Sequence, residues 1–374
     1  MTDATHFGRF RLVERRALGG MGEVWHAVVE GARGVATNVV LKRVRPEYAA
    51  DPGFVAMLAA EARVCARLDH PGIVKVYEFG EVAGEHYLAM ELVDGWDLYD
   101  ILAAFERVGR VPPVAFICQV GAELADALAY AHAITDEQGR PFGLVHRDVS
   151  PGNVMITRQG AVKLVDFGVH TIRNRSADER TAVGVLRGTL SFMSPEQADG
   201  QPVDRRSDVF SLGSVLYEAL TGHRLFRAAS ELETLRRVRE AVVVPASTYR
   251  RDLDPRLDRI LLAMLARSPL ERWASCDDVA RELRPFAQEA GIDAASVREL
   301  LGGLDLAGGD TIRTVRQETQ PLMPSAPATR AVWLWAALLT ALIAMPYAIP
   351  ACNSSPRNLP PAGAAVTSDA AGQP

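Results

Sequence analysis

Three oxygen-bearing side chains stand close together in this 374-residue sequence: Asp148 closing His146-Arg147-Asp148, Asn153 five residues on, and Asp166 opening Asp166-Phe167-Gly168. Hard oxygen donors of this kind suit magnesium, which bridges phosphates. Asn153 and Asp166 are the candidate metal ligands, and Asp148 is left to receive a proton. Such a set fits phosphoryl transfer to a hydroxyl, which needs positioning, charge cancellation and a proton acceptor more than covalent chemistry. An isolated Asp-Phe-Gly is common by chance, whereas the ordered pair with an intervening Asn is not.

These side chains need elements that aim them. Segments 144–148 and 162–166 read as two apolar strand ends, each delivering an acid into a loop. Near the N-terminus, 10–14 and 22–27 read as strands joined by Ala17-Leu18-Gly19-Gly20-Met21-Gly22. Backbone N–H groups of a glycine-rich turn can approach phosphates without side-chain obstruction, although a plain hairpin would look the same. Strand 38–44 carries Lys42. Only Lys42, Lys75 and Lys163 among 41 basic residues are lysine, so a lysine at a functional position is not accidental. Arginine's planar fork is no substitute for a compact ammonium.

Segment 54–68 has helical spacing, with Phe54, Leu58, Ala62 and Cys65 on one stripe and Glu61 beside it as the natural partner of Lys42. Segment 87–93 reads as a strand, followed by Asp94-Gly95-Trp96-Asp97-Leu98 as a hinge. After a helix over 120–132, the polar stretch 134–143 reads as a surface excursion.

Together these motifs resemble the eukaryotic-type serine/threonine protein kinases over about residues 8–288. The resemblance implies an α+β, bilobed protein-kinase fold, with a β-rich N-lobe carrying one main helix over about 8–93 and a helical C-lobe over about 94–288. It implies ATP and Mg2+ as cofactors, with Leu18, Gly19, Gly20, Met21, Gly22 and Val24 around the nucleotide. Lys42 would hold the α- and β-phosphates and pair with Glu61, Met90 would sit at the back of the adenine pocket, and backbone groups of Glu91 and Val93 would meet the adenine edge. Asp148 matches the proton acceptor, Asn153 the second metal ligand and Asp166 the main one. His146 ties the catalytic loop to the Asp-Phe-Gly segment, and Arg147 awaits a phosphate on the activation segment, 166–196. Thr181 is the first choice for that phosphosite, with Thr189 and Ser176 as further candidates. Asp208 matches an aspartate that braces the catalytic loop, and Arg272 the buried partner of Glu196.

Two departures stand out. Ala17 replaces the first glycine of the loop, and Ser150 replaces the lysine that normally reaches the γ-phosphate, with no arginine between Val149 and Asn153. A lost charged donor of this kind is commonly worth roughly 2–4 kcal/mol in the transition state. A nucleotide-binding pseudokinase serving as a membrane scaffold is therefore the alternative.

A net charge of −5 with a pI near 6.0 offers no footprint for nucleic acid. Cys65, Cys118, Cys276 and Cys352 lack metal-ligand spacing and read as reduced thiols. The stretch 289–330 reads as a short helix, placed over 296–304, and a juxtamembrane linker. Residues 331–349 contain no charge and are flanked by Trp333, Trp335 and Tyr347, as in a single membrane span. Arg313, Arg316 and Arg330 on the near side place the kinase in the cytoplasm, leaving a short extracytoplasmic tail over 350–374. This layout resembles the bacterial membrane-anchored kinases. The implied partners are protein substrates with Ser/Thr acceptors, phosphothreonine-binding proteins, a second copy for trans-autophosphorylation and the inner membrane.

Overall fold

A computed structural model describes residues 6–18, 22–30, 36–49, 51–167 and 190–306, apart from the side chains of Pro46 and Glu61. Strands β1 (His6–Phe7), β2 (Phe10–Leu18), β3 (Gly22–Glu30) and β4 (Ala36–Val44) precede helices α1 (Pro46–Ala49) and α2 (Pro52–Cys65). Strands β5 (Val76–Val82) and β6 (Glu85–Glu91) complete a six-stranded sheet of order β1-β2-β3-β4-β6-β5. Phe10, Leu12, Ala27, Val39, Leu41 and Tyr87 close its outer face, while Val24, Val40, Leu88 and Met90 lie on the inner one. Period-two alternation puts Lys42 on that inner face, directly opposite Val24. Gly22 is required where β3 crosses β4, since a Cβ there would lie 1.7 Å from the Arg43 carbonyl oxygen.

Helix α2 begins two residues before the expected segment 54–68 and ends three residues before its end, its start set by a cap. The Asp51 side chain accepts from Gly53 N, and Pro52 occupies the first turn. Phe54, Leu58, Ala62 and Cys65 are all buried, as their spacing requires.

A second, three-stranded sheet, β7 (Gly95–Asp97), β8 (Val154–Thr157) and β9 (Val162–Leu164), opens the larger lobe. Around it lie α3 (Leu98–Arg107), α4 (Val114–Ala133), α5 (Pro195–Ala198), α6 (Arg205–Thr221), α7 (Glu231–Glu240), α8 (Pro255–Met264), α9 (Cys276–Glu289) and α10 (Ala294–Gly302). Helix α4 is long and apolar enough to cross a membrane by length and composition, but most of it is buried within the fold. Its apolar character belongs to a core helix packed on α6 and α9. Burial pushes the Cys118 thiol on α4 up to about 12, consistent with an inert core thiol. Val297 and Leu301 of α10 join the same core, so packing continues past residue 288.

The expected strand over 144–148 is absent: this segment has no ladder, because the His146 and Arg147 N–H groups are taken by a side chain, Asp208. The excursion at 134–143 is a tight turn in which the Asp136 carboxylate accepts from the backbone of Gln138 and Arg140. Glycines 19 and 20 with Met21, the phosphosite candidates Ser176, Thr181 and Thr189, the linker beyond 306, the expected span 331–349 and the tail lie outside the described residues.

Candidate active site

The catalytic loop hangs from one buried carboxylate. Asp208, on α6 and fully buried, accepts from His146 N at 2.8 Å, from Arg147 N at 2.8 Å and from His132 Nε2 at 2.7 Å. Burial alone would raise the Asp208 pKa, but His132 and the Arg147 N–H hold it below the ordinary carboxylate value. The bracing expected of Asp208 is therefore direct, and His132 is a partner that spacing alone did not reveal.

His146 has a defined tautomer. Its Nε2 lies 3.0 Å from the Val165 carbonyl, which can only accept, and its Nδ1 receives the Asp148 N–H at 3.2 Å. The proton therefore sits on Nε2 of a neutral ring. The ring also meets Phe167 edge-on, with centroids 4.6 Å apart. His146 thus joins the catalytic loop to the Asp-Phe-Gly segment, as its position implied.

Asn153 spends its amide nitrogen on Asp148: Nδ2 donates to the Asp148 carbonyl and to Oδ2, both at 2.7 Å. That leaves the Asn153 amide oxygen as the atom available to a hard cation. Asp166 follows β9 and is aimed by a left-handed backbone, φ 60°, while Arg147 has φ 68°. Non-glycine residues in this region cost of order 1–3 kcal/mol each and persist where surrounding structure over-determines them. At Arg147 the determinants are the Asp208 carboxylate and Gln197 Nε2, which donates to the Arg147 carbonyl at 2.9 Å.

Lys42 Nζ lies 3.4 Å from Asp166 Oδ2, with the two side chains 18% and 1% exposed. Asp166 Oδ1 is buried and has no hydrogen-bond partner among the described residues. A buried carboxylate oxygen without a partner among the described residues, beside a lysine, fits a divalent cation in its donor chemistry, as does the Asn153 amide oxygen. Glu61 is on α2 as expected, but its side chain is outside the described residues, and so is the anticipated ion pair with Lys42.

Above this polar floor lies an apolar chamber. Val24 and Val40 from the six-stranded sheet, Met90 and Val93 at the hinge, Met155 from β8 and Val165 before Asp166 form one buried cluster spanning both sheets. Ala17 packs against it, and Leu18 is half exposed at its edge. Val40, Met155 and Val165 were missed in the sequence, although Val40 stands two residues before Lys42 and therefore on its face. Met90 also borders a cavity behind the chamber, between Leu58, Ala62 and Cys65 of α2 and Phe167. The Glu91 N–H is taken by the Lys75 carbonyl at 2.8 Å, so only the Glu91 carbonyl remains for the adenine edge. The Glu91 side chain is held by Lys163 Nζ at 2.7 Å.

Arg272 and Glu196 meet as expected, through Nη1–Oε1 at 2.7 Å and Nη2–Oε2 at 2.8 Å, with Ser207 Oγ donating to Oε1 at 2.6 Å. Burial would raise the Glu196 pKa, but Arg272 and Ser207 hold it below the ordinary value.

The protein kinase domain family matches residues 17–283. The chain belongs to the protein kinase family. Tyrosine-protein kinase MasK of Myxococcus xanthus is 39% identical over 283 residues, covering 76% of this chain and 44% of that protein. Serine/threonine-protein kinase PknB of Mycolicibacterium smegmatis is 36% identical, covering 79% and 46%. Serine/threonine-protein kinase PknA of Mycobacterium tuberculosis is 37% identical, covering 72% and 59%. The chain thus spans about half the length of these curated relatives. Among solved structures, the kinase domain of Mycobacterium tuberculosis PknI superposes with a TM-score of 0.57 at 29% identity, over 77% of this chain and 100% of that one. The bilobed fold expected from the motifs is the fold observed.

Proposed function

We propose that this chain is an ATP- and Mg2+-dependent protein kinase that phosphorylates serine and threonine hydroxyls of proteins. The observation that carries the reading is the buried Asp166 Oδ1, without a partner among the described residues, beside Lys42 and next to a buried apolar cluster drawn from both sheets. Asp166 and the Asn153 amide oxygen would hold magnesium, which when bound neutralises charge across the phosphates. Lys42 donates to phosphate oxygens, and Val24, Val40, Met155 and Val165 exclude water from the base. Asp148, steadied through Oδ2 by Asn153, accepts the proton of the acceptor hydroxyl.

Membrane anchoring by 331–349, with the kinase on the cytoplasmic side, belongs to the same proposal and rests on the uncharged stretch and its arginine-rich flank. So does autophosphorylation within 166–196, with Thr181 foremost. One relative is named a tyrosine-protein kinase. The acceptor class is therefore tested directly, by incubating the full-length protein with labelled ATP and magnesium and identifying the phosphoamino acids. Phosphoserine and phosphothreonine support the reading, phosphotyrosine alone corrects the acceptor, and absence of label despite nucleotide binding favours the scaffold alternative.

A further inference from the structure

One cation in the smaller lobe is buried without the partners that would justify its burial. The Arg16 side chain is only 7% exposed, yet its Nε and Nη1 are buried and have no hydrogen-bond partner among the described residues. Among the described residues its one ion pair joins Nη2 to Glu14 Oε2 at 3.0 Å, and the Glu14 side chain is 51% exposed. A pair with so solvated a carboxylate contributes little, and it leaves two donors of a charged group unsatisfied.

The strand register shows where this guanidinium lies. Arg15 opposes Trp25 and Ala17 opposes Val24, so Arg16 is the extra residue of a β-bulge, a device that re-aims side chains. Glu14 opposes His26, two residues from Val24 and hence on the same face of β3. The Arg16–Glu14 contact places Arg16 on that face too, which also carries Val24, Val40 and Lys42. Its chain neighbour Ala17 packs on the apolar chamber with Val24. Arg16 directly precedes Ala17, which packs on that apolar cluster, so it stands at the base end of the site and not at the phosphate end.

We infer that the Arg16 guanidinium completes the nucleotide site by donating to acceptor atoms of adenosine, its ring nitrogens or ribose oxygens, an inference that rests on the ATP reading. The bound nucleoside then supplies the partners that the folded chain withholds. It also accounts for a bulge that turns a further charged residue toward this face.

The test measures binding of ATP and of adenosine to the full-length protein by calorimetry, for wild type, Arg16→Leu and Arg16→Lys, alongside melting without nucleotide. Arg16→Leu should weaken ATP and adenosine alike, by about tenfold, the scale of one charge-assisted hydrogen bond. Its nucleotide-free melting temperature should hold or rise, because an apolar side chain replaces a poorly paired buried cation. Arg16→Lys, which keeps the charge, reports on affinity should the leucine variant fail to fold, and it should fall between the other two. Unchanged affinities in both variants would overturn the inference. Weakened ATP binding with unchanged adenosine binding would also overturn it, by moving the contact to phosphate. A wild type that binds neither ligand would instead defeat the ATP reading itself.

Discussion

Two buried polar centres lie on either side of the catalytic loop, and they differ in how completely they are satisfied. In the larger lobe, both oxygens of Asp208 and both of Glu196 are hydrogen-bonded. Around these carboxylates the atoms without a partner among the described residues are nitrogens of side chains, His132 Nδ1, Arg147 Nε and Arg206 Nε. In the cleft, Asp166 Oδ1 and two nitrogens of Arg16 have no partner among the described residues, and Lys42 reaches Asp166 only at 3.4 Å. Burying an unmet polar group is expensive, so a folded chain that does so is shaped for something else to meet it. The satisfied centre is scaffold; the unsatisfied one is where substrate belongs.

This contrast is broken most sharply by removing the base. Asp148→Asn should lower phosphoryl transfer by about 10²–10⁴-fold, the usual worth of a positioned general base. Nucleotide affinity should stay near wild type, because Asp148 receives a proton and does not hold ATP. Rapid-quench transfer assays beside calorimetric titration check both halves, and retained turnover would remove Asp148 from the reaction.

On the scaffold side, Arg272→Ala should cost about 3–5 kcal/mol in denaturant unfolding, since it leaves the Glu196 carboxylate buried and unpaired. Affinity for ATP per folded molecule should not change. The same centre sets an acid limit. Glu196 has a folded pKa below its ordinary 4.5, so its stabilisation is present at neutral pH and lost as pH falls through the folded value. Glu196→Gln should therefore lose stability less steeply than wild type as pH falls below about 4.5, from a lower starting stability. An equally steep acid limb in the variant would show that other carboxylates dominate.

On the substrate side the signs reverse. Asp166→Asn should change nucleotide-free stability by less than about 1 kcal/mol, because one carboxylate oxygen has no partner among the described residues and the other meets Lys42 only at 3.4 Å. It should nevertheless abolish the magnesium-dependent part of the ATP-induced thermal shift. A large loss of apo stability would make Asp166 scaffold and erase the distinction.

Much of the satisfied centre was legible in the sequence. Asp208, Arg272 and Glu196 carry local motifs, and charge pairs of this type follow from chemistry once the motifs are placed. The apolar stripe of α2 and the face of Lys42 were legible too, because helical and strand periods are local properties. The unsatisfied centre was less so. Val40, Met155 and Val165 look like ordinary core residues, and only the packing of two sheets makes them one chamber. The irregular path of 144–148 was hidden because a side chain sixty residues downstream replaces the ladder. Arg16 was invisible because a bulge decides which way it faces.

The smallest expected effect concerns Ser150, where sequence and structure pull in opposite directions. Ser150 is buried at 9% exposure, and its carbonyl accepts from Asn153 N at 3.0 Å, so it is part of the loop's own scaffold. Yet its position is the one from which a lysine would reach the transferring phosphoryl. Its backbone is extended, φ −147°, and a lysine there keeps the carbonyl contact while its long stem carries the ammonium outward. Ser150→Lys should therefore raise single-turnover transfer severalfold and leave ATP affinity unchanged, a gain below the roughly 2–4 kcal/mol of a fully engaged donor. A large drop in turnover at unchanged melting temperature would show that the serine hydroxyl itself serves the cleft, and would move Ser150 from the satisfied centre to the unsatisfied one.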